Sequence, residues 1–177
     1  ERAGRLVFMC QERLPALLLR LDLFRSGDIE LVPSDAPVPP HDLHVPLMSL
    51  ARLYGATPGN LPRQTIRIAL EEPRLSRWAA FGRQDPEQWR IGLSWQGDPG
   101  ASVDQDGSMP PAALVPLGAL AGRAAFLSLE KHLGHDQSAP EGLDLLMPPT
   151  DFDGGRDAFI DSAALMMSLD LVVTTDT

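Results

Sequence analysis

Basic residues are scarce in this chain: 15 Lys and Arg stand against 24 Asp and Glu, a net charge of -9 over 177 residues. A nucleic-acid surface needs a local excess of cations, so this balance excludes nucleic acid as the main partner and leaves room for a small basic pocket around one phosphate. Cysteine is nearly absent. The single Cys10 sits inside the apolar run LVFMC, which excludes a disulfide framework and reads as a buried structural thiol. That usage fits a reducing compartment and places the protein in the cytoplasm. No apolar stretch nears the ~18 residues of a membrane span, and PALLLRLDLF is interrupted by Arg20 and Asp22. There is no signal-peptide pattern, no G-x-G-x-x-G or Walker A fingerprint, and no repeat of solenoid period. Without the glycine fingerprint, a nucleotide-dependent oxidoreductase or epimerase has no support.

What is present is the composition of an ordinary globular chain, 44% hydrophobic and 22% charged, long enough for one domain or for parts of two. Proline is the outlier at 17 residues, roughly twice average usage. Most prolines fall at element borders, which implies many short elements with stiff connections. The chain opens on Glu1, reaches an apolar run within six residues and closes on LVVTTDT, so both ends read as internal points of something longer.

The pattern along the first half is strand Leu6 to Cys10, a helix carrying Leu14, Leu17, Leu18 and Leu21 on one face, a Ser26-Gly27-Asp28 turn and strand IELVP. In DLHVPLMSL a short strand gives way to a helical turn ending at Gly55, and His44 alternates with apolar neighbours as a core or interdomain histidine does. TIRIAL reads as a further strand. EEPRLSRWAAFG reads as a helix with Pro73 in its first turn and Gly82 past its end. The pattern then restarts, which puts the domain boundary near residues 70 to 88. Strand RIGLSW, a helix from about Pro110 to Ala121, strand AAFLSLEK and strand LDLLMPP follow. A helix comes next, with Phe159, Ile160, Ala163, Ala164 and Met167 on one face, and LVVT closes the pattern as a buried strand. Strands separated by helical segments argue a mostly parallel sheet covered by helices.

In such sheets ligands sit at the carboxyl ends of the strands, and that directs attention to a few residues. The Gly/Asp-rich loop from Gln96 to Ser108 joins a strand to a helix, where backbone N–H groups can hold an anion, although its Asp98, Asp104 and Asp106 oppose one. GLSWQG departs from the serine-hydrolase elbow because its second glycine comes one residue late and Ser94 lies within the strand. His132, His135 and Asp136 lack the further ligands of a metal site. Lys131 stands at the end of a strand, where an amine can meet a phosphate. Asp161 opens the last helix and reads equally as a surface carboxylate.

RIGLSWQGDP, SMPPAALVPLG, AAFLSLEKH and DFDGGRDAFIDSAALMMSLDLVVTTDT together resemble the carboxyl-terminal domain of glycosyltransferase family 9 proteins, in the form fused to tetratricopeptide repeats. LVFMCQERLPALL and PHDLHVPLMSLARLYG are similar to the amino-terminal domain of the same proteins. The resemblance implies an α/β chain of GT-B type, made of parts of two Rossmann-like domains with mostly parallel sheets. Residues 1–75 would be the amino-terminal domain, lacking its first strand and turn. Residues 76–177 would be the truncated donor-binding domain with its linker helix. It further implies transfer of a sugar from a nucleotide diphosphate donor to the hydroxyl of an acceptor glycan or protein, with no other cofactor and no metal. Trp95, Gln96, Ser108, Lys131, Asp161, Asp176 and Thr177 would line the donor side, and the general base would lie outside the chain. The family usually carries Asn, His and an arginine cluster before Ser-Ile-Pro, where this chain has Asp98 to Gly107 and then Ser108-Met109-Pro110. That difference supports the alternative of a non-catalytic, partner-binding domain on a degenerate transferase fold.

Overall fold

The computed structural model describes residues 4–61, 66–97, 108–130, 140 and 142–175. The chain divides into two compact units, Glu1–Ala69 and Leu70–Thr177. Both are α/β, and the strands of both sheets are parallel.

In the first unit β1 (Leu6–Cys10) pairs in parallel with β2 (Ile29–Pro33), register running from Leu6 with Ile29 to Cys10 with Pro33. Between them lie two one-turn helices, α1 (Pro15–Leu18) and α2 (Asp22–Arg25), where the leucine spacing predicts one continuous helix. A tertiary contact causes the break. Leu21 is extended and bridges Ile68 antiparallel, while the Arg20 carbonyl accepts the Ala69 N–H at 2.9 Å. That bridge is all that the described part of the expected strand TIRIAL forms. Residues 42–46 form no strand either, so the alternation around His44 meets no sheet and His44 is exposed, contrary to a core placement. The helix α3 (Leu47–Leu53) ends before Gly55, whose φ of 59° is the left-handed stop that glycine permits. The core here is small: Cys10, Phe24 and Val32 are buried, with Phe8 against Phe24 at 5.6 Å between ring centroids.

The second unit is built on a four-stranded parallel sheet in the order β5-β4-β3-β6, with β3 at Trp89–Ser94, β4 at Ala124–Ser128, β5 at Leu145–Leu146 and β6 at Leu171–Thr174. The period of two in the strands sorts the side chains onto two faces. Ile91, Leu93, Trp95, Ala124 and Phe126 pack with Leu114 and Leu143 on one side. On the other, Leu127 packs with Trp78, Phe152, Ala164 and Leu165. The helices α4 (Glu72–Ala80) and α5 (Ile160–Met166) supply that second layer. Gly92 lies under Leu169 and Leu129 on this face, since a Cβ there would stand 2.4 Å from Leu169 Cδ1.

Three expectations for this unit change. The segment Pro111–Leu120 is 3-10 rather than α-helical, and Pro116 within it has no N–H for an i to i-4 bond. Phe159 has left-handed backbone with φ 68°, so it precedes α5 and is exposed, as is Met167. The buried face is Ile160, Asp161, Ala164 and Leu165, because Asp161 is drawn inward by polar partners. Finally, β6 is the last strand of the sheet among the described residues, with Leu171 and Val173 exposed rather than buried as its apolar run implies.

Candidate functional site

The strands of the second unit end at Ser94, Ser128, Leu146 and Thr174, and in a parallel sheet these ends share one edge. The amino ends of α4 and α5 lie at the same edge. Helix α5 starts after β5 ends, and Arg90, near the opposite end of β3, binds carbonyls at the carboxyl ends of both helices. Two polar networks are built there.

The first closes the exit of β3. Glu130 Oε1 accepts three bonds, from the Ser94 hydroxyl at 3.1 Å, the Trp95 N–H at 2.8 Å and the Gln96 N–H at 3.0 Å. The Glu130 N–H in turn donates to Ser128 Oγ at 3.0 Å. Just beyond, Ser108 Oγ accepts the Gly97 N–H at 3.0 Å and the Trp95 carbonyl accepts the Met109 N–H at 2.8 Å. The base of the Gln96 to Ser108 loop is therefore pinned on both sides. Gln96 Oε1 is buried with no hydrogen-bond partner among the described residues, and so is Thr175 Oγ1 at the end of β6. A buried polar atom without a partner is costly, which makes these two candidate ligand-facing groups at this edge.

The second network joins α4 to α5. Asp161 Oδ1 accepts from Arg74 Nη1 at 2.9 Å and from Trp78 Nε1 at 2.8 Å, and its Oδ2 accepts the Asp153 N–H at 3.2 Å. Asp153 Oδ1 accepts the Asp161 and Ser162 N–H groups, capping the start of α5, and its Oδ2 accepts from the Ser162 hydroxyl. Asp153 has left-handed backbone with φ 50°, which an aspartate tolerates better than most residues. Arg74 also binds Asp157 at 2.6 Å. Burial works against the Arg74 charge, but the hydrogen bond to Asp157 and the fields of Asp161, Asp157 and Glu71 together hold its guanidinium above the ordinary arginine value. Arg77 lies over the Trp78 ring, 5.0 Å from its centroid, and reaches Asp151 at 3.2 Å. A shallow depression of about 340 Å³ opens here, lined by Glu71, Pro73, Arg74, Arg77 and Asp161.

Of the residues singled out in the sequence, the fold brings Trp95, Gln96 and Ser108 together at the β3 exit. Trp95 contributes its backbone there, because its indole is fully buried in the core. Asp161 belongs to the second network and is buried rather than a surface carboxylate. Lys131, Asp176 and Thr177 lie outside the described residues, as do His132, His135, Asp136 and the loop 98–107. Among the described residues no three His, Cys, Asp or Glu side chains form a metal-sized group, and no helix is long and apolar enough to cross a membrane.

Sequence reasoning passed over Glu130, Asp153, Arg74 and Trp78. Glu130 offered only a weak signal, an acid two residues past an apolar strand, which by itself reads as solvated. Asp153 carried none, since its partners are set by a turn of left-handed residues.

No protein-family model, no curated protein and no solved structure matches this chain.

Proposed function

We propose that the chain is part of a GT-B-type glycosyltransferase similar to family 9, with the second unit holding a nucleotide diphosphate sugar along the carboxyl edge of its sheet. The acceptor oxygen, on a glycan or a protein, attacks the anomeric carbon as the bond to the diphosphate breaks. The acceptor proton passes to a base outside this chain, and the nucleoside diphosphate leaves with the bonding pair. The observation that carries this reading is the exit of β3, where consecutive backbone N–H groups converge and Gln96 and Ser108 stand together beside the end of β6. Parallel α/β sheets bind ligands at such edges.

Isothermal calorimetry of the protein with uridine, adenosine and guanosine diphosphates tests it. Binding that weakens in Lys131→Ala or Asp176→Ala is the expected result, and absence of binding to every nucleotide sinks the reading.

A second reading, a non-catalytic partner-binding domain, is favoured by the occupancy of two described cations at this edge. Arg74 and Arg77 are both held by aspartates, Asp157 and Asp161 for the one and Asp151 for the other. A leaving diphosphate needs positive charge that is free to meet it.

A further inference from the structure

Three donors converge on one oxygen at the exit of β3, and that oxygen belongs to the chain itself. The Ser94 hydroxyl, the Trp95 N–H and the Gln96 N–H all point at Glu130 Oε1, within 2.8 to 3.1 Å. Consecutive backbone N–H groups aimed at a single point form a concavity suited to an anion, and with a hydroxyl beside them they match the donor set that phosphate oxygens use. Two further bonds shape this turn without Glu130: Gly97 N–H to Ser108 Oγ, and Met109 N–H to the Trp95 carbonyl. The donors therefore keep much of their arrangement when the carboxylate leaves.

A purely structural tie does not need a charge at this point. A neutral amide oxygen would accept the same three bonds, and among the described residues no cation pairs with Glu130. Among the described residues the negative charge is met by N–H and O–H dipoles, as a bound anion's would be.

We infer that the β3 exit is a phosphate-binding turn occupied by an internal competitor, the Glu130 carboxylate, and that a phosphate group enters only by displacing it. The phosphate is either free or part of a larger ligand. The inference rests on the proposed function only for that ligand's identity: under that reading the ligand is the donor diphosphate, and Glu130 sets the threshold for its binding.

The test is calorimetric titration of the wild-type protein and of Glu130→Gln with sodium pyrophosphate and, in parallel arms, with uridine and adenosine diphosphates. The variant keeps an acceptor oxygen and loses the charge. Removing a like charge at contact distance is expected to tighten pyrophosphate binding by about tenfold or more. Equal or weaker binding by a folded Glu130→Gln protein overturns the inference. If that variant does not fold, amide NMR of the wild-type protein decides: millimolar pyrophosphate moving the Trp95 and Gln96 N–H signals supports displacement, and unmoved signals overturn it. Tighter pyrophosphate binding with no nucleotide binding in either protein upholds Glu130 as competitor and sinks the transferase reading. Nucleotide binding of equal strength in both proteins does the reverse.

Discussion

Trp78 and Asp161 stand 83 residues apart in the chain and are joined by a 2.8 Å hydrogen bond from the indole Nε1 to the carboxylate Oδ1. The same oxygen takes a guanidinium N–H from Arg74, so one buried carboxylate fastens α4 to α5. Around it Trp78 packs edge to face on Phe152 and Phe81, at 5.0 and 5.3 Å between centroids. The carboxylate sets which residues of the two helices meet.

Replacing Asp161 by Ala leaves a buried indole N–H without an acceptor and takes one of two carboxylates from Arg74. The expected loss is about 3 kcal/mol, read from urea unfolding. Asp161→Asn keeps one acceptor and is expected to lose less. The pair Arg77 and Asp151 is the internal control, because its side chains are 50% and 66% exposed. Asp151→Ala is expected to cost at most about 1 kcal/mol. Similar losses for Asp161→Ala and Asp151→Ala would refute the joining role given to Asp161.

Arg90 ties down the other end of the same helices. It is 2% exposed, and its guanidinium donates to the carbonyls of Phe81 at 2.9 Å, Ser168 at 3.0 Å and Trp78 at 3.1 Å. Burial lowers its pKa, Arg83 lowers it further and Asp170 partly offsets both, while the group stays charged across the physiological range. A lysine has no planar fork to reach three separated carbonyls, so Arg90→Lys is expected to lose about 2 kcal/mol or more in thermal unfolding. A melting midpoint unchanged from wild type would show that the carbonyls find other partners.

Gly92 is a packing constraint rather than a turn. Its added Cβ would meet Leu169 Cδ1 at 2.4 Å and Leu129 Cδ1 at 3.1 Å, both at the ends of flexible side chains. Gly92→Ala is expected to cost about 1–3 kcal/mol through overpacking. Adding Leu169→Ala should return part of that loss, as a double-mutant cycle would show by a coupling of opposite sign. Additive losses would place the crowding elsewhere.

Cys10 is buried at the end of β1, and desolvation raises its thiol pKa above the ordinary value. Alkylation by iodoacetamide at pH 8 should be slow in the native protein and fast in urea, since the thiolate is the reacting form. The sign follows from linkage. A thiol whose folded pKa is raised contributes stability that is fully present below the unfolded pKa and is lost as pH climbs through the folded one. Cys10→Ser should therefore flatten the alkaline limb of the stability profile. An unchanged limb would assign that slope to other groups.

Several elements were legible because their causes are local. The runs LVFMC, IELVP and AAFLSLEK are short and apolar, and each holds a strand, the last over AAFLS. Pro73 in the first turn and Gly82 at φ 66° frame α4 as their backbone preferences require. The helix expected across Leu14 to Leu21 is split because Leu21 finds a partner in Ile68, 47 positions away by residue number (68 − 21), which no window of a few turns can contain. At the candidate site, Gln96 and Ser108 were visible as residues flanking a strand-to-helix loop. Glu130 was not, because an acid after an apolar strand reads as solvated until the exit of β3, 34 to 36 residues earlier in the chain, is placed beside it.

The sequence by itself determined strands β1 to β4, the frame of α4 by Pro73 and Gly82, and that Cys10 would be buried. Those outcomes follow from backbone sterics and from burial of contiguous apolar residues, which act over a few positions. Tertiary structure alone decided that β6 pairs with β3 and that Asp161 is an internal acceptor. It also decided that the N–H groups after β3 close on the chain's own carboxylate. Each of these depends on which distant segment becomes a neighbour. That choice is made by the summed packing of both sheet faces, not by any one stretch of residues.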